Sequence, residues 1–204
     1  MDLFGLLDGV QAIARTGLAY AQDPYDRERY EKLLALAAEG YSDALASVSD
    51  ELLARFRAEA GYITSKVGVS AAVFDADGNA LLARRADDGL WSLVSGWVDP
   101  NETPEEAIVR ELHEEIGVDA SVDAFAGVFS RMASLTAGPH SMIAIVYLCT
   151  LASDALILNH ELLEARFAPI ESVDADGWHP QHRDRALRAR DVWSERQRAR
   201  PPSR

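Results

Sequence analysis

The first 62 residues carry apolar side chains at helical spacing and show no strand-like alternation. The first apolar row consists of Leu3, Leu6, Leu7, Val10, Ile13 and Ala14. Asp23-Pro24 ends this helix, and a second helix follows, with Gly40 as a candidate break. Ser49 or Asp50 is suited to cap a third helix. Three short helices bury little apolar surface alone, so we expect them to pack on the main domain or on a second subunit.

From Ser65 onward the pattern changes to short apolar runs separated by turn residues, which is typical of strands. Strands are predicted at residues 66–74, 80–85, 122–131 and 142–150, with a shorter candidate at 167–170. The segment 179–198 has helical character. We therefore predict two parts: an N-terminal helical extension over residues 1–62 and an α/β domain over residues 63–204, which ends in a helix and a basic tail.

One helix is marked at both ends, within the segment 96–118. Thr103 is a suitable N-cap, Pro104 takes the first helical position, and Glu106 completes a capping box. Gly117 stands where a glycine commonly ends a helix. An apolar row runs along one side and is formed by Ile108, Leu112 and Ile116. This row predicts that one face of the helix packs on a core.

Three carboxylates share the neighbouring face of this helix, because Glu111, Glu114 and Glu115 stand at offsets 0, 3 and 4. Like charges so close together repel one another, and a hard divalent cation, most often Mg²⁺, compensates them by binding their oxygens. Sites of this kind commonly hold phosphate-bearing substrates, whose oxygens complete the metal shell. The structural alternative is a solvated acidic helix face, which is what most acidic helical faces are.

The residues around these carboxylates resemble the Nudix box, which reads Gly, five residues, Glu, seven residues, then Arg-Glu-apolar-any-Glu-Glu-any-Gly-apolar. The chain matches it at Gly96, Glu102, Arg110, Glu111, Leu112, Glu114, Glu115, Gly117 and Val118. So many constrained positions at the right spacing make the resemblance highly specific. The family often carries Leu-Pro-Gly-Gly just ahead of the loop, where this chain has Leu93-Val94-Ser95-Gly96. This departure concerns the loop geometry and substrate placement, because the carboxylates are untouched.

The resemblance implies a Nudix-type α/β/α sandwich around a mixed sheet, and metal-assisted hydrolysis of a diphosphate linkage. The implied ligands of Mg²⁺, or of Mn²⁺ in its place, are Glu111, Glu114, Glu115 and the backbone carbonyl of Gly96. Arg110 is expected to orient a box glutamate and to pair with Glu102. Some Nudix enzymes take their general base from a loop outside the box, and we expect such a loop after the last long strand. The general base is therefore left open among Glu114, Glu115, Glu161 and Glu164.

The run from Ile13 to Glu31 is similar to the helical extension of a bacterial Nudix subgroup, some members of which are CDP-choline pyrophosphatases. This similarity favours hydrolysis of nucleoside diphosphates linked to another moiety, such as CDP-choline or ADP-ribose, by a homodimer. Two further functions stay open: a pyrophosphohydrolase of nucleoside triphosphates or RNA ends, and a non-catalytic nucleotide sensor on a Nudix fold. The intact glutamate set argues against the sensor, since a sensor does not need all three carboxylates.

The net charge of −13 argues against nucleic-acid binding through a basic surface. For the Arg-rich residues 183–204, we favour a solvated helix face with a disordered Pro-Pro end over an RNA contact. The single cysteine, Cys149, is interpreted as a buried strand thiol and excludes a disulfide within one chain. No signal-peptide pattern and no long apolar stretch is present, so we expect a cytoplasmic protein without membrane contact.

Overall fold

The computed structural model describes residues 2–45, 49–58, 61–134 and 140–199. The chain divides into two compact units. The first unit comprises residues 1–66 and 130–142, and the second comprises residues 67–129 and 143–204. The predicted Pro-Pro end of the tail, at residues 201–202, lies outside the described residues.

The first unit is built on three helices: α1 (Leu3–Tyr20), α2 (Pro24–Leu45) and α3 (Ser49–Ala58). Asp2 caps α1 by accepting a hydrogen bond from the Gly5 amide at 2.9 Å. The helices enclose a small core that includes Phe4, Leu7, Leu34, Tyr41 and Phe56. The candidate break at Gly40 is wrong, because α2 continues through it. A Cβ at Gly40 would lie 2.7 Å from Leu7, so this glycine permits close packing of α1 on α2.

The second unit contains two helices and the strands, apart from terminal residues of β1, β5 and β6. The strands are β1 (Lys66–Ala72), β2 (Ala80–Arg85), β3 (Trp91–Ser92), β4 (Val94–Trp97), β5 (Ala120–Arg131), β6 (Met142–Leu151) and β7 (Leu162–Ala168). The helices are α4 (Pro104–Ile116) and α5 (His182–Ala199), with short 3₁₀ turns at Ile170–Ser172 and Ala175–Gly177. A four-stranded sheet has the order β4-β1-β6-β5, and a three-stranded sheet has the order β3-β2-β7. The predicted α/β architecture preceded by helices is confirmed.

Two apolar cores lie on opposite faces of the sheets, because successive strand residues alternate between them. Leu81 faces the core that receives Ile108, Leu112 and Ile116 from α4. Its neighbour Leu82 faces the core that receives Ala186 and Ala189 from α5. The strands therefore lie between α4 and α5, as the α/β/α sandwich requires. Cys149 is buried in the α4 core, and burial raises the pKa of its thiol to about 12.

The strand expected at residues 167–170 is displaced. The observed strand β7 spans Leu162–Ala168 and pairs antiparallel with β2, while Ile170–Ser172 forms a 3₁₀ turn. Pro169 ends the strand, since proline has no N–H to donate to a sheet. The apolar residues around Phe167 favour a strand at 167–170 when the sequence is considered locally. In the structure, pairing with β2 decides where the strand begins.

The prediction of a solvated face for the basic helix is wrong at one position. Arg185 of α5 is only 1% exposed. Its Nη1 lies 3.2 Å from the Ser70 hydroxyl and 3.1 Å from Nε2 of His182. Among the described residues, no helix is long and apolar enough to cross a membrane.

Candidate active site

Helix α4 begins and ends where its sequence predicts. The Thr103 hydroxyl accepts a hydrogen bond from the Glu106 amide at 3.2 Å, and the Glu106 carboxylate accepts one from the Thr103 amide at 2.9 Å. Gly117 ends the helix with a φ of 69°. The backbone oxygen of Ile157 would lie 3.0 Å from a Cβ at this position, so glycine is needed for space as well as for conformation. These caps fix the rotation of the helix and hence the direction of its carboxylates.

Strand β4 brings Gly96 against the carboxylate of Glu111. Gly96 pairs with Val69 in the antiparallel ladder between β1 and β4, which fixes its backbone in the sheet. A Cβ at position 96 would overlap the carboxylate carbon and both oxygens of Glu111. The missing side chain of Gly96 therefore provides the space in which the Glu111 carboxylate lies.

Arg110 uses all five of its N–H groups within the box. Nε and Nη2 donate to the two oxygens of Glu102 at 2.8 and 3.0 Å, which makes a bidentate pair. Nη1 donates to Glu111 and to Glu114, both at 2.9 Å, and Nη2 also donates to the Trp97 carbonyl at 3.0 Å. The guanidinium thus connects the loop before α4, the end of β4 and two box carboxylates.

Glu115 lies on the buried side of the box, with 5% of its surface exposed. Burial raises the pKa of Glu115, and the neighbouring charges of Glu111 and Glu161 raise it further, to about 8. Arg85, at the end of β2, and the backbone amide of Ser95 oppose this shift. A carboxyl group held in this way keeps its proton near neutral pH unless a cation approaches.

The neighbouring carboxylates respond differently. Burial raises the pKa of Glu111 even though the guanidinium of Arg110 is bonded to it. Hydrogen bonds from Arg110 lower the pKa of Glu102, and the same bonds raise the pKa of Arg110. The guanidinium of Arg110 binds Glu102, Glu111 and Glu114, and burial still makes the ionised forms of Glu111 and Glu115 unfavourable.

The box residues fit a hard divalent cation by the chemistry of their donors. Glu111, Glu114 and Glu115 offer only oxygens, and oxygens are the ligands that Mg²⁺ and Mn²⁺ prefer. The raised pKa values of Glu111 and Glu115 indicate that their negative charges are unfavourable without a further cation. Across residues 2–45, 49–58, 61–134 and 140–199, no three His, Cys, Asp or Glu side chains are already grouped around one point as metal ligands. In the box, Nη1 of Arg110 lies between Glu111 and Glu114 instead.

The loop placement expected for Glu164 is wrong. Glu164 lies within β7, where its Cα pairs with that of Arg84 in β2. Its carboxylate lies 3.5 Å from Nε of Arg166, which is on the same strand. Strand pairing fixes the backbone of Glu164 in the three-stranded sheet, and its role as a catalytic base stays a prediction.

The other candidate carboxylate outside the box, Glu161, precedes β7, and its charge influences the box carboxylates of α4. Its amide donates to the Asn159 side chain at 2.8 Å, and its carbonyl accepts from the Ala86 amide at 2.8 Å. Its negative charge raises the pKa of both Glu111 and Glu115. Of the two candidates in this segment, Glu161 is therefore the one near the carboxylates of α4.

Two residues support the site although nothing in the sequence marks them for that role. The charge of Arg85 lowers the pKa of Glu115, but in the sequence Arg85 is recognisable only as the end of a strand. His182 is buried, and its Nδ1 accepts a hydrogen bond from the Leu93 amide at 3.2 Å, just ahead of β4. These contacts join segments far apart in the chain, so neither local spacing nor a motif could have found them.

Residues 64–189 match the NUDIX domain family. The chain belongs to the Nudix family. The prediction of a Nudix pyrophosphohydrolase is confirmed by this match together with relatives along the whole chain. Residues 1–52 match a second family, described as a UDP-X-like, N-terminal oligomerisation domain, which confirms the resemblance of the helical extension. The predicted domain boundary between residues 62 and 63 lies between the two matches and stays a prediction.

Three relatives of this Nudix protein illustrate its similarities. It is 34% identical over 161 residues to a "Putative ADP-ribose pyrophosphatase" of Bacillus subtilis, covering 78% of this chain and 77% of the relative. It superposes on the crystal structure of a UDP-X diphosphatase with a TM-score of 0.55 and 26% identity, covering 98% of both chains. It superposes on a MutT protein of Methanosarcina mazei with a TM-score of 0.54 and 26% identity, covering 64% of this chain and 95% of that one.

Proposed function

We propose that this Nudix protein hydrolyses the diphosphate linkage of nucleoside diphosphates joined to another moiety, and that it requires Mg²⁺ or Mn²⁺. The observation that carries the proposal is the buried, undercompensated pair of Glu111 and Glu115 beside the backbone of Gly96. The substrate class is supported by the UDP-X-like N-terminal region and by the UDP-X diphosphatase that aligns with nearly the whole chain.

We assign the metal to Glu111, Glu114, Glu115 and the backbone carbonyl of Gly96. When bound, a divalent cation neutralises phosphate oxygens and lowers the pKa of a coordinated water. The protein's own part is positioning: Arg110 holds Glu111 and Glu114 while anchored to Glu102. Arg110 is thus a positioning residue for the box carboxylates.

We propose that Glu115 or Glu161, rather than Glu164, accepts a proton from the attacking water. A bound cation would favour the ionised form of Glu115, which is the form that can accept a proton, and Glu115 lies buried among the box carboxylates. Glu161 lies near enough to influence that pKa, whereas Glu164 is held beside Arg166 on β7. Exchange of each carboxylate for its amide separates the three candidates.

We propose further that the protein is a homodimer through its N-terminal helices. The match of residues 1–52 to an oligomerisation domain supports this proposal. Helix α1 also exposes apolar side chains that a monomer would leave in water: Leu3, Leu6 and Ile13 are 44%, 52% and 63% exposed. Their spacing of three and seven residues places them along one side of the helix.

The test of the proposed function is a phosphate-release screen in Mg²⁺ or Mn²⁺. The panel contains CDP-choline, ADP-ribose, UDP-sugars and nucleoside triphosphates, with Glu115→Gln and Glu114→Gln as inactive variants. Glu195→Gln is the matched control, because Glu195 is exposed on α5. We expect turnover of a nucleoside diphosphate conjugate that falls by at least about a hundredfold in the box variants and not in the control.

Other outcomes would redirect the assignment. Preference for nucleoside triphosphates or triphosphate RNA ends would replace the proposed substrate class while keeping the hydrolase. Tight nucleotide binding without turnover in any metal would indicate a ligand sensor. Full activity of Glu115→Gln would remove Glu115 from the metal site.

A further inference from the structure

The first unit contains a polar cavity of about 460 Å³ that the hydrolase site does not use. It is bordered by α1, by α3, by the segment 61–66 and by residues 140–141. Its size falls in the range of pockets for small organic ligands. We propose that this cavity binds a nucleoside monophosphate, or the monophosphate end of a related nucleotide, without hydrolysing it.

The charge of the cavity points to an anion. Its described lining contains three cations, Arg15, Arg55 and Lys66, and one carboxylate, Asp8, which gives a net charge of +2 with His140 neutral. The whole chain carries −13, so cations concentrated in one concave surface stand out against an acidic protein. Arginine and lysine in a concave site are the groups that proteins use for phosphate.

The cavity is also preorganised, because a chain of hydrogen bonds fixes its polar groups. The Ser65 hydroxyl donates to Ser141 at 3.2 Å, and Ser141 donates to one oxygen of Asp8 at 3.1 Å. The side-chain amide of Gln11 donates from Nε2 to the other oxygen of Asp8 at 3.2 Å. Arg15 donates to the Gln11 oxygen at 3.0 Å. Both oxygens of Asp8, the carboxylate of the described lining, therefore accept hydrogen bonds from neutral side chains.

Arg15 and Gln11 are buried to a degree that is unusual for polar side chains. They are 5% and 3% exposed, and the guanidinium carbon of Arg15 lies 5.6 Å from the centre of the Phe56 ring. Cation–π contact and the Gln11 bond hold the guanidinium in place before any ligand arrives. A preorganised cation loses little entropy on binding phosphate, which is how such a pocket gains affinity.

Aromatic residues at the cavity favour a nucleotide over phosphate alone. Phe56 and Tyr62 both line it, so a flat base has apolar surface to pack against while the phosphate meets the cations. The lining that the structure describes has one carboxylate, which is bonded to Gln11 and Ser141, so these described residues do not supply the oxygen set that holds a catalytic metal. Binding without hydrolysis is the consequence.

The proposal is tested by calorimetry with AMP, CMP, UMP and inorganic phosphate. Full-length Glu115→Gln protein in EDTA is used, so that neither metal nor turnover contributes at the box. The test variant is Arg55→Gln with Lys66→Gln, because both side chains are exposed and the change spares the buried network. Arg29→Gln is the matched control, since this arginine of α2 has 73% of its side chain exposed and pairs with Asp26 outside the cavity.

We expect at least one monophosphate to bind, with affinity that falls by about tenfold or more in the double variant and with rising salt, and that is unchanged in Arg29→Gln. Arg15→Lys is the second variant, and we expect weaker binding together with a lower melting temperature, because lysine cannot reproduce the buried contacts with Gln11 and Phe56. Absence of binding by all three nucleotides would overturn the proposal. So would equal affinity in the double variant. Inorganic phosphate binding as tightly as the nucleotides would overturn the assignment of a base-binding role.

Discussion

The carboxylate of Glu111 occupies the space that a side chain at Gly96 would fill. Gly96 belongs to β4 and Glu111 to α4, so this contact sets the distance between the sheet and the acidic helix. The two residues lie fifteen positions apart in the sequence, and the Nudix box fixes both. The glycine of the box is thus explained by packing against its own glutamate, and its backbone conformation is an ordinary strand.

Gly96→Ala should therefore damage the site more than the fold. The added methyl group would push the Glu111 carboxylate away from β4, and displacement of a catalytic group by about 1 Å can lower turnover by about a hundredfold. Gly127→Ala in β5 is the matched control, because its nearest contacts would lie at an ordinary 3.5 Å. The measurement is kcat/KM together with a Mn²⁺ titration. Equal activity of both variants would contradict the packing role of Gly96.

Arg110→Lys should lower kcat/KM by about 10- to 100-fold with little change in thermal unfolding. An ammonium group cannot reproduce the bidentate pair with Glu102 while also binding Glu111 and Glu114. Arg190→Lys is the control, because Arg190 of α5 forms an ion pair with Glu171 outside the box. If Arg110→Lys kept the metal affinity and turnover of the natural chain, the five bonds would have no part in positioning the carboxylates.

The raised pKa of Glu115 predicts how the metal-free protein responds to pH. The ordinary value is 4.5 and the folded value is about 8, so the unfolded chain releases this proton first as the pH rises. Between these values the folded state binds more protons, and stability falls with rising pH. The penalty is absent below about pH 4.5 and complete above about pH 8.

Glu115→Gln removes this penalty, so it should raise the melting temperature in EDTA at about pH 9 and leave it nearly unchanged at about pH 4.5. The gain should be several degrees, since each kcal/mol corresponds to roughly 2–4 °C in a chain of this size. Added Mg²⁺ should reduce the difference in melting temperature between Glu115→Gln and the unsubstituted protein at about pH 9, because the cation favours the ionised carboxylate. Differential scanning fluorimetry with Glu195→Gln as control measures the effect. A gain that is the same at both pH values would show that Glu115 titrates normally.

Local interactions explain why α4 could be predicted down to its caps. Thr103, Pro104 and Glu106 act within one turn, and Gly117 acts on the last turn, so their meaning is independent of the rest of the chain. The acidic face follows from the same helical geometry. The burial of Glu115 does not follow, because it depends on what β2 and β4 place over that face.

Contacts between distant segments mark the limit of prediction from sequence. Leu93 and His182 are separated by 89 positions, and only the folded sheet brings that amide to that imidazole. Strand β7 was displaced in the prediction for the same reason, since its register comes from β2. Its charged residues Glu164 and Arg166 weaken the apolar pattern that marks a strand.

The exposed apolar side of α1 predicts the position of the proposed dimer contact. Leu6→Glu combined with Ile13→Glu should convert the dimer to a monomer, because burying two carboxylates without partners costs more than a dimer interface of ordinary size supplies. The control is Arg29→Glu with Lys32→Glu on the polar side of α2, where both side chains are more than 70% exposed. Light scattering coupled to size-exclusion chromatography measures the mass. A natural chain with the mass of a monomer would contradict the homodimer, and a dimer that survives the α1 changes would place the contact on another surface.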